Sequence, residues 1–71
     1  MYQYRIFAEF DGDIYNDRQY KRKFYKSFEE AEAEFLIALD YYKSQPYKNA
    51  LKRLTIQRCE IQTWEVCREA R

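Results

Sequence analysis

Residues 27–42 read SFEEAEAEFLIALDYY. Ser27 stands three residues before Glu30, the spacing of a capping box. The serine hydroxyl is set to accept from the Glu30 backbone N–H, and the Glu30 carboxylate to reach back to the Ser27 N–H. Glu29, Glu30, Glu32 and Glu34 concentrate negative charge near the start, where the helix dipole favours it. Phe28, Ala31, Phe35, Ala38, Leu39 and Tyr42 recur at spacings of three and four, which predicts one apolar stripe, with Leu36 on its flank. Pro46 disfavours helical geometry at Gln45, so the helix is expected to stop near Lys43 or Ser44. On the opposite face, Ile37 and Tyr41 form an apolar pair. It is either an isolated pair on an acidic surface or a contact point for a partner.

Upstream of the helix, residues 2–10 (YQYRIFAEF) alternate. Tyr2, Tyr4, Ile6, Ala8 and Phe10 share one face, expected to meet the helix, and Gln3, Arg5, Phe7 and Glu9 share the other. Asp11-Gly12-Asp13 and Asn16-Asp17 are turn signals. A second strand is therefore expected to begin at Ile14 or near Arg18, and its well-patterned part is QYKRKFYK, residues 19–26. Tyr20, Arg22 and Phe24 fall on one side of it, and Lys21, Lys23 and Tyr25 on the other. Downstream, YKNALK (residues 47–52) reads as a loop or one helical turn. RLTIQRCEIQTWEVCR (residues 53–68) is rich in β formers, but its apolar parity switches twice, from Leu54 and Ile56 to Cys59 and Ile61, then back to Trp64 and Val66. One inserted residue flips a strand's faces, so this segment is one bulged strand or two strands. Residues 69–71 are expected to fray. The expectation is an α+β fold of order β-β-α-β: a three-stranded, mainly antiparallel sheet with one helix on one face. Arg5, Phe7, Glu9, the row Lys21, Lys23 and Tyr25, and one parity of the last segment are expected on the uncovered face.

Seventy-one residues make one small domain with a modest core. Eight Tyr, five Phe and one Trp, 20% of the chain, supply area that short aliphatic side chains would not. So small a domain has few interior sites, and some rings are expected at the surface, where Tyr, Trp and Arg dominate binding hot spots. The net charge of +1 argues against a disordered chain and against a strongly basic DNA-binding domain. No apolar run approaches the length of a membrane span, and Met1 leads straight into alternating residues, without a signal-peptide pattern. A soluble, cytoplasmic protein is expected. Cys59 and Cys67 would lie about 26 Å apart on one continuous strand, and no Gly, Pro, Asn or Asp between them marks a tight turn. Free thiols in a reducing compartment are the expectation.

Catalytic machinery is not expected. The chain has no histidine, the commonest general base and metal ligand. Ser27 is accounted for as a cap, neither cysteine has a CxxC partner, and one glycine does not make a phosphate loop. Asp11, Asp13 and Asp17 suggest a cation loop, but an EF-hand ligand set needs further acceptors and a closing Glu at its twelfth position, and position 22 is Arg, so a polar turn is the reading. No catalytic residue, metal or cofactor is assigned. The basic run Arg18, Lys21, Arg22, Lys23 and Lys26, interleaved with Tyr20, Phe24 and Tyr25, has three readings. It blunts a sheet edge, it pairs with the acidic helix or the Asp-rich loop, or it binds nucleic-acid phosphates with aromatic stacking.

A strand pair running into a SFEEAEAE-type helix start, followed by a long final β segment, resembles small proteins of phages and mobile elements. Among these are anti-CRISPR and other anti-defence inhibitors of β-β-α-β layout. The resemblance spans the whole chain as an arrangement. It implies a non-enzymatic inhibitor that occludes a surface of a large host complex, and it assigns no individual residue. The residues themselves nominate a protein-binding set of Arg5, Phe7, Lys21, Lys23, Tyr25, Ile37, Tyr41 and Trp64. Nucleic-acid binding through Arg18, Lys21, Arg22, Lys23 and Lys26 is the alternative, and assembly as a small homodimer through the open face or the last strand's edge is a third reading.

Overall fold

The computed structural model describes residues 2–12, 15–44, 47, 49–60 and 62–70. The expectations for Asp13, for a strand start at Ile14, for the Gln45-Pro46 stop, for Lys48, for Ile61 and for Arg71 lie outside these residues. The alternation of residues 2–10 becomes strand β1, Gln3–Phe10. Its even positions face inward: Ile6 and Ala8 are fully buried and Phe10 nearly so. The strand ends where the Phe10 N–H donates to the Asp17 carboxylate at 3.0 Å and the Asp11 N–H to the Ala50 carbonyl at 2.7 Å. Asp17 thus serves the turn, as a polar turn requires.

The capped stretch becomes helix α1, Phe28–Lys43. The Ser27 hydroxyl accepts from the Glu30 N–H at 3.2 Å, but the Glu30 carboxylate accepts from the Lys26 N–H at 3.1 Å instead of Ser27's. Extended backbone at Ser27 turns the Lys26 amide into that carboxylate's reach. Ala31, Phe35, Ala38 and Tyr42 are buried, Phe28 and Leu39 pack at the margin, and Leu36 is exposed. Lys43 lies in the last turn, and Ser44 caps it by donating to the Tyr41 carbonyl at 2.7 Å.

The β-rich segment after the helix is a hairpin of strands β3, Leu51–Cys59, and β4, Trp64–Ala70. With β2, Arg18–Gln19, they make a four-stranded antiparallel sheet in the order β2-β1-β3-β4, one strand more than expected. Leu54 and Ile56 stand opposite Ala8 and Ile6 and join them under α1. Trp64 and Val66 do not return to that face. They pair with Cys59 and Gln57, which lie on the opposite side, and a shift in register between Ile56 and Gln57 then turns Arg68 and Ala70 toward the helix. There the Arg68 guanidinium lies 4.7 Å from the centre of the Phe35 ring and pairs with Glu32 at 2.9 Å. Both thiols are free. Cys59 stands opposite Trp64, which leaves Cys67 three residues off register, roughly 10 Å along the strand.

The second strand departs most from expectation. It is two residues long and gives way to a 3-10 turn at Tyr20–Arg22. Lys21 and Arg22 both adopt left-handed backbone, with φ of 53° and 52°. The chain then returns beside β1 through a single antiparallel bridge, Tyr4 to Tyr25. This kink resets the alternation, so Tyr20 and Tyr25 are both buried in the core although they stand an odd number of positions, five, apart.

Candidate functional site

Two separate places gather the residues with binding character. The first is the sheet face away from the helix. By alternation it carries Gln3, Arg5, Phe7 and Glu9 of β1 and Arg53, Thr55, Gln57 and Cys59 of β3, paired directly across the two strands. The Arg5 guanidinium sits 4.5 Å from the centre of the Phe7 ring and 4.1 Å from that of Trp64. Its Nε donates to the Gln57 side-chain oxygen at 2.8 Å, and Gln57 in turn donates to the Thr55 hydroxyl at 3.2 Å. Thr55 and Gln57 are buried beneath this layer although no helix covers them. Burial holds the Arg5 pKa below its ordinary value, countered in part by the neighbouring Cys59. Trp64 stacks on Phe24 with centroids 6.0 Å apart and planes 19° from parallel. At one end of the sheet, Arg53 bridges Glu9 and Glu69 at 2.5 and 2.8 Å.

Phe24 and Val66 leave about half their surface exposed, 51% and 47%. Beside Phe24 opens a mainly apolar cavity of about 550 Å³ lined by Tyr2, Gln3, Phe24, Tyr25 and Lys26. An arginine held between two rings is a rigid platform, because each guanidinium–ring contact is worth ~0.5–2 kcal/mol according to its desolvation. A half-exposed ring beside an apolar hollow is the arrangement that seats a partner's anchor side chain.

The second place is a cleft of about 390 Å³ between residues 18–22 and the end of α1. Arg18, Lys21 and Arg22 line one side, and Tyr41, Tyr42 and Tyr47 the other. The Arg18 guanidinium lies 5.5 Å from the centre of the Tyr47 ring and donates to the Tyr47 hydroxyl at 3.3 Å. Hydrogen bonding to Tyr47 raises the pKa of Tyr41, and burial pushes Tyr42 up to about 12.

The expected partner set is therefore divided. Arg5, Phe7 and Trp64 do meet on the helix-free face. Tyr25 does not join them: it is 3% exposed, on the helix side, because the turn at residues 20–22 resets the strand's parity. Its hydroxyl is buried near the Glu34 carboxylate without a well-formed hydrogen bond among the described residues, and burial, then Glu34, raise its pKa. Lys23 also turns to the helix, pairing with Glu34 at 3.1 Å and holding that carboxylate below its ordinary pKa. This is the acidic-helix reading of the basic run, at one residue. Lys21 and Tyr41 line the cleft, and Ile37, one turn before Tyr41, is 60% exposed. Of the nucleic-acid set, Arg18, Lys21 and Arg22 converge on the cleft, while Lys23 is engaged elsewhere and Lys26 borders the other cavity.

Phe24, Val66, Thr55 and Gln57 were not nominated from the sequence. Alternation places Phe24 on the same side as Tyr20, from which the turn separates it. Gln57 gives no signal, since its burial follows from pairing with β1 on one side and β4 on the other, which local pattern does not encode. Among the described residues, no group of three or more Cys, Asp or Glu gathers into a metal-binding cluster, and no helix is long and apolar enough to cross a membrane. Comparison with protein-family models, curated proteins and solved structures finds no match.

Proposed function

We propose that this chain is a protein-binding module that docks through its helix-free sheet face. The observation that carries the reading is the apolar cavity lined in part by Phe24, the ring that also begins the Phe24–Trp64–Arg5–Phe7 stack. The molecule measures 35 × 23 × 18 Å, so its broad side offers roughly 800 Å², the contribution of one partner to an interface of ordinary size. Lys26 at the cavity and Arg5 in the stack set the partner's chemistry. It is a folded protein presenting an apolar side chain with carboxylates around it, the apolar group entering beside Phe24. In its finer form the proposal is a non-enzymatic inhibitor of the anti-defence type, acting by covering a functional surface of a larger host complex.

The test compares capture from host lysate by the tagged chain, by Phe24→Ser, by Lys26→Glu and by Tyr41→Ser. All three positions are exposed, so the variants are expected to fold. The proposal expects one protein that survives nuclease and high salt, is lost with the first two variants and is retained by the third. Capture that persists with Phe24→Ser and Lys26→Glu, or that disappears with nuclease, overturns it. For the inhibitor form, the purified chain must reduce the captured complex's activity, and unchanged activity at saturating chain removes that form alone.

A further inference from the structure

We propose that the cleft between residues 18–22 and the end of α1 binds a nucleoside phosphate, free or as one unit of a single strand. Arg18, Lys21 and Arg22 hold the phosphate, and the base lies against Tyr41 and Tyr47. This site is on a different part of the molecule from the protein-docking face and does not rest on it.

Charge is the first argument. Among the described residues, three cations and no carboxylate line the cleft. Among the described residues none of the three is in an ion pair, whereas Lys23, Arg53, Arg58 and Arg68 each are. Among the described residues the cleft's cations thus have no ion-pair partner, with only Lys21 in electrostatic reach of Glu34, in a protein that pairs other cations directly. Preorganisation is the second. Neutral groups fix Arg18: the rings of Phe10 and Tyr47, the Tyr47 hydroxyl and the Asn16 carbonyl at 3.4 Å. Its delocalised, forked guanidinium is suited to phosphate oxygens and loses little freedom on binding them.

The backbone is the third argument. Two consecutive non-glycine residues with left-handed φ are rare, and such geometry is retained mostly where a site uses it. Here it carries two of the three cations. The cleft's far wall is aromatic, and Tyr41 is 51% exposed, which leaves ring surface for a base to stack on. A peptide is the poorer occupant. Strand addition needs a run of free edge, but β2 is two residues long and the left-handed turn interrupts it. The cleft therefore suits a compact ligand that combines an anion with a flat ring.

The experiment titrates the full chain with adenosine 5′-monophosphate, inorganic phosphate, phosphotyrosine and a short single-stranded oligothymidylate, at low and at moderate salt. The expected result is binding of the mononucleotide at least tenfold tighter than phosphate or phosphotyrosine, weakened by salt. Oligothymidylate binding tighter than the mononucleotide identifies the strand as the source, and equal or weaker binding identifies the free nucleotide. Lys21→Asn/Arg22→Asn removes both charges with a residue that tolerates left-handed backbone, and is expected to lose at least tenfold in affinity with the fold intact. Arg18→Gln serves as a second variant should the turn not tolerate the first. Tyr41→Ala is expected to weaken the mononucleotide without weakening inorganic phosphate, and Phe24→Ser to leave both unchanged. No binding at low salt, mononucleotide no tighter than phosphate or phosphotyrosine, or affinity unchanged in folded charge variants each overturns the proposal.

Discussion

Replacing Arg5 with Ala probes the helix-free face at its centre. Arg5 contacts two rings, Phe7 and Trp64, and donates to the Gln57 oxygen. Losing two guanidinium–ring contacts costs about 1–2 kcal/mol at partial exposure. Gln57 is buried, so its oxygen is left without a partner, which adds about 1–3 kcal/mol. The sum is about 2–5 kcal/mol, from a total stability expected at roughly 4–10 kcal/mol for a chain this short. The second term depends on the orphaned oxygen alone. Adding Gln57→Leu to Arg5→Ala should therefore recover about 1 kcal/mol or more, because removing both partners avoids the cost of stranding one. Equilibrium urea unfolding at neutral pH reads both variants. A small domain has a denaturant slope near 1 kcal/mol per molar, so Arg5→Ala should lower the midpoint by roughly 2 M or more. A shift under about 0.5 M for Arg5→Ala would refute the reasoning, as would a further fall on adding Gln57→Leu. Either would mean that the arginine lies loosely in solvent over the sheet.

Three more outcomes are expected. Ser27→Ala removes the cap on the Glu30 N–H and should cost about 1 kcal/mol, read as a lower unfolding midpoint with the helical signal otherwise unchanged. Lys21→Gly relieves one left-handed residue and should raise stability by about 1 kcal/mol in the same assay, less whatever the Lys21–Tyr20 ring contact contributes. Tyr42 and Tyr25 both have raised pKa values, chiefly from burial, and their neutral forms belong to the folded state. Their contribution is whole below the unfolded tyrosine pKa near 10 and is lost as pH climbs toward the folded value of about 12 for Tyr42. Thermal midpoints should thus fall steeply above about pH 10, alongside a late-rising tyrosinate absorbance, and Tyr42→Phe should flatten the fall.

The helix was legible because its signals agree. Cap, acidic first turn, apolar spacing and terminal lysine all point to the same boundaries. Strand β1 was legible because one of its faces is buried, which enforces strict alternation. The turn at residues 20–22 was not legible, since left-handed backbone ordinarily announces itself through Gly or Asn, and here Lys and Arg adopt it. That one turn accounts for the misplaced Tyr25, Lys21 and Lys23 and for the missed Phe24. The β3–β4 hairpin was hidden for the same reason, as none of the usual turn residues lies between Cys59 and Trp64. The parity switches in that stretch did register the break, although they did not show that Trp64 and Val66 would face away from Leu54 and Ile56. On the helix-free face, Arg5, Phe7 and Trp64 were visible as outward-facing residues of binding type. The stack they form depends on β3 and β4 folding back on β1, which is long-range pairing that local pattern does not encode.

The chain's single tryptophan lies in the face proposed to dock, which makes it the direct reporter. The measurement is the fluorine resonance of a fluorotryptophan incorporated at Trp64, followed as the purified captured partner is added. The account predicts that the resonance shifts and broadens in step with complex formation, and that Phe24→Ser abolishes the change. A partner that binds by mass while the resonance stays where it was would contradict it.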